Sequence, residues 1–195
     1  MMCAKLGWKR YGDKEYVPHV LRYYHVTSYG AGEAAGISLD QRMTYLFPNG
    51  IPQTETQMSG YLTTISVPIV DIHGNQSSMR LVVHQKLAGE IEAVFTEMAA
   101  IGFPVKAGTT GGYVWRSMVS SSNRSHHSYG VVIDLNWDDN PYISGSQTVG
   151  GSYRPGSNPY SVTSEVVQIW KAHGFYWGGD WNSAKDYMHF TYTNH

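Results

Sequence analysis

The sequence predicts an α+β fold, a single domain in which a small antiparallel sheet is flanked by helices, and three observations lead there. First, a β-branched run from Thr63 to Asp71 is followed by the polar break Ile72-His73-Gly74-Asn75 and a second apolar run from Met79 to Val83, the pattern of a β-hairpin. Second, two later stretches repeat apolar residues at helical spacing. Third, Val131 to Asn136 and Met188 to Thr193 read as short strands, each carrying one isolated metal-ligating residue type in apolar surroundings.

Each element has its own local warrant. From Gln85 to Ile101, Leu87, Ile91, Val94, Phe95 and Met98 fall on one helical face. A second helix is expected from about Val162 to His173, with Val162, Val166, Ile169 and Trp170 inward, Ser161 or Thr163 as N-cap and Gly174 as the stop. The segment from Asn140 to Pro159, rich in Gly, Ser and Pro, reads as a long loop that lines a site or stays mobile. Residues 1–60 show no sustained periodicity and are expected to form an N-terminal extension, leaving residues 61–195 as the functional domain.

Size and composition narrow the function. A chain of 195 residues can bury one good core, whereas two full domains would each be small. With 42% hydrophobic and 15% charged residues it reads as globular. A net charge of -1 offers no excess of Lys or Arg to displace phosphate counterions, so nucleic acid is not an expected partner. No apolar run approaches the roughly 20 residues needed to span a bilayer, so no membrane partner is expected, and the first residues lack the apolar core of a signal peptide. A monomer is expected. Cys3, the single cysteine, excludes an internal disulfide and a thiolate-rich zinc site.

The chemistry concentrates in two segments. In Ser125-His126-His127-Ser128-Tyr129-Gly130-Val131-Val132-Ile133-Asp134, a polar turn leads into an apolar strand on which Val132, Asp134 and Asn136 share one face. A carboxylate in so apolar a strand needs a partner. In the second segment, from Trp177 to Phe190, the closing strand puts His189, Thr191 and Thr193 on one face. If the strands pair, Asp134 and His189 lie side by side and the preceding turn brings His127 over them. Two imidazoles and a carboxylate with an open fourth position form a catalytic zinc set, in which the metal lowers the pKa of bound water toward roughly 7. Asp186 precedes His189 by three residues and is expected in the turn before the strand, within reach of the water as a general base but not as a ligand. His126 competes with His127. His25, His73, His84, His173 and His195 are expected to be structural, His173 as a cation at its helix C-terminus.

These residues resemble the VanY-type D-alanyl-D-alanine carboxypeptidase family, which also includes L-alanyl-D-glutamate endopeptidases and phage endolysins. The family's Ser-x-His, six residues, Asp is matched by Ser125, His127 and Asp134, and its Asp/Glu-x-x-His by Asp186 and His189. The resemblance covers roughly residues 65–193. It implies the Hedgehog/D-Ala-D-Ala peptidase fold, a zinc ion on His127, Asp134 and His189, Asp186 as catalytic carboxylate, and bacterial peptidoglycan as substrate and partner. Aspartate rather than glutamate at 186, and the Trp177-Gly178-Gly179-Asp180-Trp181 stretch, resemble the endopeptidase branch. The family also carries an arginine ahead of the first metal segment, which makes Arg116 the candidate for polarising the scissile carbonyl or holding a substrate carboxylate, with Arg124 as competitor. Ser125 is expected to hydrogen-bond beside the metal. Trp177 and Trp181 are expected either to wall the substrate or to join the core. The alternatives are a D-alanyl-D-alanine carboxypeptidase, a metal-binding interaction module without catalysis, and a serine hydrolase, the last lacking any Gly-x-Ser-x-Gly support. Action on the cell wall, outside the cytoplasm or at lysis, follows from the substrate.

Overall fold

The β-branched runs do form a long hairpin. In the computed structural model, which describes residues 38–118 and 122–194, β1 (Leu62–Val70) pairs antiparallel with β2 (Gln76–His84) in a continuous register from Leu62↔His84 to Val70↔Gln76. At the tip, the Asp71 carboxylate accepts backbone N–H bonds from His73 and Asn75. A short 3-10 turn then leads into α3 (Ala88–Ala100), whose Ile91, Val94, Phe95 and Met98 are buried, as the spacing predicts. α3 lies across β1 and against α4 (Ser164–Ala172). Thr163 is the N-cap of α4, its hydroxyl accepting from the Val166 N–H, and Trp170 on its inner face stacks on Phe190 at 4.7 Å.

The remaining strands are short, and their arrangement departs from a single sheet. Among the described residues there are three antiparallel sheets: the β1–β2 hairpin; β3 (Val132–Asp134), β8 (His189–Thr191) and β6 (Tyr176–Trp177) in the order β3-β8-β6; and β4 (Tyr142–Ser144), β5 (Gln147–Val149) and β7 (Lys185–Asp186) in the order β5-β4-β7. β4 and β5 occupy the stretch expected to be a loop. The two-residue Gly145-Ser146 connection closes this hairpin, with Gly145 at φ 57, a left-handed value that glycine adopts without a Cβ penalty.

Residues 38–60, read from sequence as extension, include two short helices packed on the core: α1 (Leu39–Leu46) and α2 (Glu55–Ser59). Each begins with a reciprocal capping box, Ser38 with Gln41 and Thr54 with Gln57. Leu46, Phe47 and Met58 are buried in the common core. Arg42 on α1 is also buried and donates to the Gly174 carbonyl at 2.7 Å and the Tyr192 carbonyl at 2.8 Å, its guanidinium lying over the rings of Tyr176 and Tyr192. Cys3 and His25 lie outside the described residues, as does His195. No helix among the described residues is long and apolar enough to cross a membrane.

Candidate metal centre

Strand pairing sets the first two residues of the site. β3 and β8 run antiparallel with Asp134 directly opposite His189, and Asp134 Oδ1 lies 3.1 Å from His189 Nδ1. The third residue comes from the polar turn. Residues His126–Tyr129 form a single 3-10 turn that ends at Gly130, where φ is 65. A side chain here would be strained, and a Cβ would also lie 2.7 Å from the His84 backbone nitrogen, so glycine is what allows the turn to stop and β3 to begin. That turn brings His127 Nε2 to 3.1 Å from Asp134 Oδ2. His126 points elsewhere, its Nδ1 facing the Thr193 hydroxyl.

His127, Asp134 and His189 could therefore hold a metal ion, each offering one ligand atom within 4.8 Å of the others. The fit to zinc is good on three counts. Ligands about 2.0–2.1 Å from a tetrahedral ion sit roughly 3.3 Å apart, close to the two 3.1 Å separations. The donor set of two imidazole nitrogens and a carboxylate with an open position suits zinc. His127 Nδ1 donates to the Gly112 carbonyl at 2.7 Å, which leaves the lone pair on Nε2, the nitrogen facing the centre. Burial alone would raise the Asp134 carboxyl pKa, but its interactions with the His127 and His189 imidazoles outweigh it and hold the group below the usual carboxylate range, ionised as a ligand must be.

Asp186 joins the three from a different direction. It lies in β7, not in a turn, because Tyr142 of β4 pairs with it and Ile143 with Lys185. The three-residue step to His189 is absorbed by Tyr187 and Met188, with the Tyr187 N–H donating to the Pro141 carbonyl. Asp186 Oδ2 ends 3.9 Å from His189 Nδ1, beyond hydrogen-bond distance, and Oδ1 is buried with no hydrogen-bond partner among the described residues. Burial pushes the Asp186 carboxyl up to about 6; the positive charge of His189 opposes the rise and the nearby Asp134 carboxylate adds to it. Two adjacent carboxyls are thus driven in opposite directions, one fixed as an anion and one able to gain and lose a proton near neutrality.

Residues 119–192 match a family model described as D-alanyl-D-alanine carboxypeptidase. A 65-residue stretch is 42% identical to the peptidoglycan L-alanyl-D-glutamate endopeptidase CwlK of Bacillus subtilis (strain 168). The segment that builds the site is similar to the VanY-type peptidase family. The alignment to CwlK covers 33% of this chain and 37% of that protein.

Arg116 lies just ahead of the matched segment and is exposed, and its positive charge reaches Asp186. Arg124 is engaged elsewhere, its guanidinium 4.1 Å from the centroid of Trp115. Ser125 is buried at the start of the 3-10 turn, with its N–H donating to the Arg116 carbonyl; its hydroxyl does not cap the turn. The hydroxyl that links the arginine segment to the metal turn belongs to Ser128, which accepts from the Arg116 N–H at 2.8 Å and faces the Val114 and Arg116 carbonyls. Trp181 packs its ring 5.3 Å from that of His189 and donates its N–H to Asn194. Trp177 stacks on Phe190 and spends its N–H on the Tyr187 carbonyl, which supports the β7–β8 turn from behind. Ser128, Gly112 and Tyr142 were not singled out in the sequence. Only Ser128 had a local signal, a polar residue next to the Ser-x-His triplet; Gly112 acts through its carbonyl and Tyr142 through a strand pairing, both with partners distant in sequence.

Proposed function

We propose that this protein is a zinc metallopeptidase that hydrolyses peptidoglycan stem peptides, acting as an L-alanyl-D-glutamate endopeptidase with the Hedgehog/D-Ala-D-Ala peptidase type of fold. The observation that carries the reading is the convergence of Asp186, buried and held near neutrality, on the His127, Asp134 and His189 cluster. His127 through Nε2, Asp134 and His189 through Nδ1 would hold the metal. When bound, zinc supplies a Lewis acid for the scissile carbonyl and makes water a stronger acid. Asp186 takes a proton from the attacking water and passes it to the leaving nitrogen, so that water adds across the C–N bond with OH on carbon and H on nitrogen. Arg116 sits at the rim, where a guanidinium stabilises charge developing on the carbonyl oxygen or holds a substrate carboxylate. Ser125 and Trp181 line the approach to the centre, and Trp177 backs it. The catalytic unit is residues 61–195, with α1 and α2 packed upon it, and it works as a monomer on the bacterial cell wall.

The endopeptidase reading rests on aspartate at 186, the Trp177–Trp181 stretch and the similarity to CwlK. The description of the matching family model favours a second reading, a carboxypeptidase that removes terminal D-Ala with Arg116 gripping the free carboxylate. Digestion of purified cell walls with and without a chelator, followed by mass spectrometry of the new termini, decides between them. Chelator-sensitive appearance of N-terminal D-Glu is expected. Release of free D-Ala alone would establish the carboxypeptidase, and metal-loaded protein that cleaves no wall preparation would point to a metal-binding module without catalysis.

A further inference from the structure

Gly178 opens the short 3-10 turn Gly178–Asp180, immediately after β6, and is buried. A methyl group built on its Cα would lie 2.6 Å from the Asp186 carbonyl oxygen, 2.8 Å from the Asp186 Cβ and 3.2 Å from the His189 Cβ. Real Cβ atoms do not sit that close to backbone oxygen, and a backbone atom cannot swing aside as a side-chain tip can. The space a side chain would need at 178 is therefore filled by the residue read as the proton carrier and, just behind it, by one of the three ligands. At Gly178 the end of β6 meets the strand ends of β7 and β8 with no room for a side chain.

We infer that Gly178 is a positioning residue for the metal centre: the absence of its side chain sets the separation of Asp186 and His189. It touches neither substrate nor metal and acts through those two groups. The inference rests on the proposed function, and it gives the Trp177-Gly178-Gly179-Asp180-Trp181 stretch a physical reason for its first glycine. Gly179 contrasts with it. A methyl there would lie 2.4 Å from the Trp177 ring, so it would disturb a side chain behind the site and not the two site residues themselves.

The test compares Gly178→Ala with Gly179→Ala and with Val94→Ala, a core truncation in α3 that lowers stability away from the site. Zinc dissociation constants are measured by chelator competition, kcat and KM on cell-wall peptides, and the positions of Asp186 and His189 by crystallography of metal-free protein. Gly178→Ala is expected to weaken zinc binding by about 10–100-fold, the range for losing support of a ligand, and to lower kcat with little change in KM. The other two variants are expected to lose thermal stability while keeping zinc affinity within about threefold of wild type. Wild-type affinity in Gly178→Ala, unshifted Asp186 and His189 in its crystal structure, or an equal loss of zinc affinity in all three variants would overturn the inference. So would failure of Gly178→Ala to fold in saturating zinc while Gly179→Ala folds, because the residue would then serve folding and not the site. Wild-type protein that hydrolyses no wall preparation would remove the proposed function, yet the crystallographic comparison would still decide the role of Gly178.

Discussion

Asp186 lies directly opposite Tyr142 across the β4–β7 pair, so its carboxyl is held by a hairpin some forty residues upstream, not by the strand that carries the neighbouring candidate ligand His189. The candidate ligands Asp134 and His189 belong to one sheet and Asp186 to another. Loosening the β4–β5 hairpin should then affect proton transfer before it affects the metal. Gly145→Val puts a β-branched residue at φ 57, a strain of about 1–2 kcal/mol. We expect kcat on cell-wall peptides to fall several-fold while the zinc content of the purified protein, measured by atomic emission, stays at one per chain.

Replacing Asp186 should separate chemistry from metal binding more completely. Asp186→Asn keeps the shape of the side chain and should bind zinc with wild-type stoichiometry, but lower kcat by about 10²–10⁴-fold, the range for loss of a general acid–base group. His189→Ala should abolish both zinc binding and hydrolysis. Zinc titration followed by calorimetry, set beside muropeptide release, distinguishes the two variants.

His173 supplies the clearest pH dependence of stability. At the C-terminal end of α4 it is bracketed by two carboxylates of α3, with Nδ1 2.7 Å from Glu90 and Nε2 3.1 Å from Glu97. Burial disfavours its charge, but hydrogen bonds to Glu90 and Glu97 overcome that and push the imidazole up to about 9. A folded pKa above the unfolded value near 6.5 means that the ion triad contributes fully below pH 6.5 and is lost as pH rises through 9. Urea midpoints between pH 6 and 10 should show a decline on the order of 2–3 kcal/mol. The double variant Glu90→Gln, Glu97→Gln should flatten that slope.

Arg42 gives a prediction for the N-terminal helices. Arg42→Met retains much of the bulk but leaves the Gly174 and Tyr192 carbonyls without their donor. The expected loss is about 2–4 kcal/mol, read as a lower thermal midpoint, because buried acceptors lose charge-assisted hydrogen bonds.

Much of the site could be read in the chain because its geometry is local. The alternation along Val131 to Asn136 and Met188 to Thr193 put Asp134 and His189 on faces that meet, and the observed register pairs them directly. Gly130 marked the end of the turn carrying His127. Thr163 and the apolar face of Val166, Ile169 and Trp170 marked α4. What escaped was set by distant partners. Asp186 looks like a turn residue until β4 is known, and β4 was obscured by the Gly, Ser and Pro around it, although Gly145-Ser146 between two short runs is a hairpin signal. The capping boxes at Ser38 and Thr54 were legible as Ser-x-x-Gln and Thr-x-x-Gln, whereas the burial of Arg42 was not, since its acceptors lie 132 and 150 residues away.

The reach of Arg42 also bears on where the molecule can be cut. A fragment starting at Tyr61 would contain His127, Asp134, Asp186 and His189, and by motif alone would pass for a complete catalytic piece. It would nonetheless expose the apolar surface now covered by Leu46, Phe47 and Met58, and release the carbonyl of Tyr192 next to the strand that ends in Thr191. The smallest autonomous unit is therefore longer than its chemistry requires, and an expression boundary drawn by motif would be drawn too late, with Ser38 and its cap marking the latest safe start.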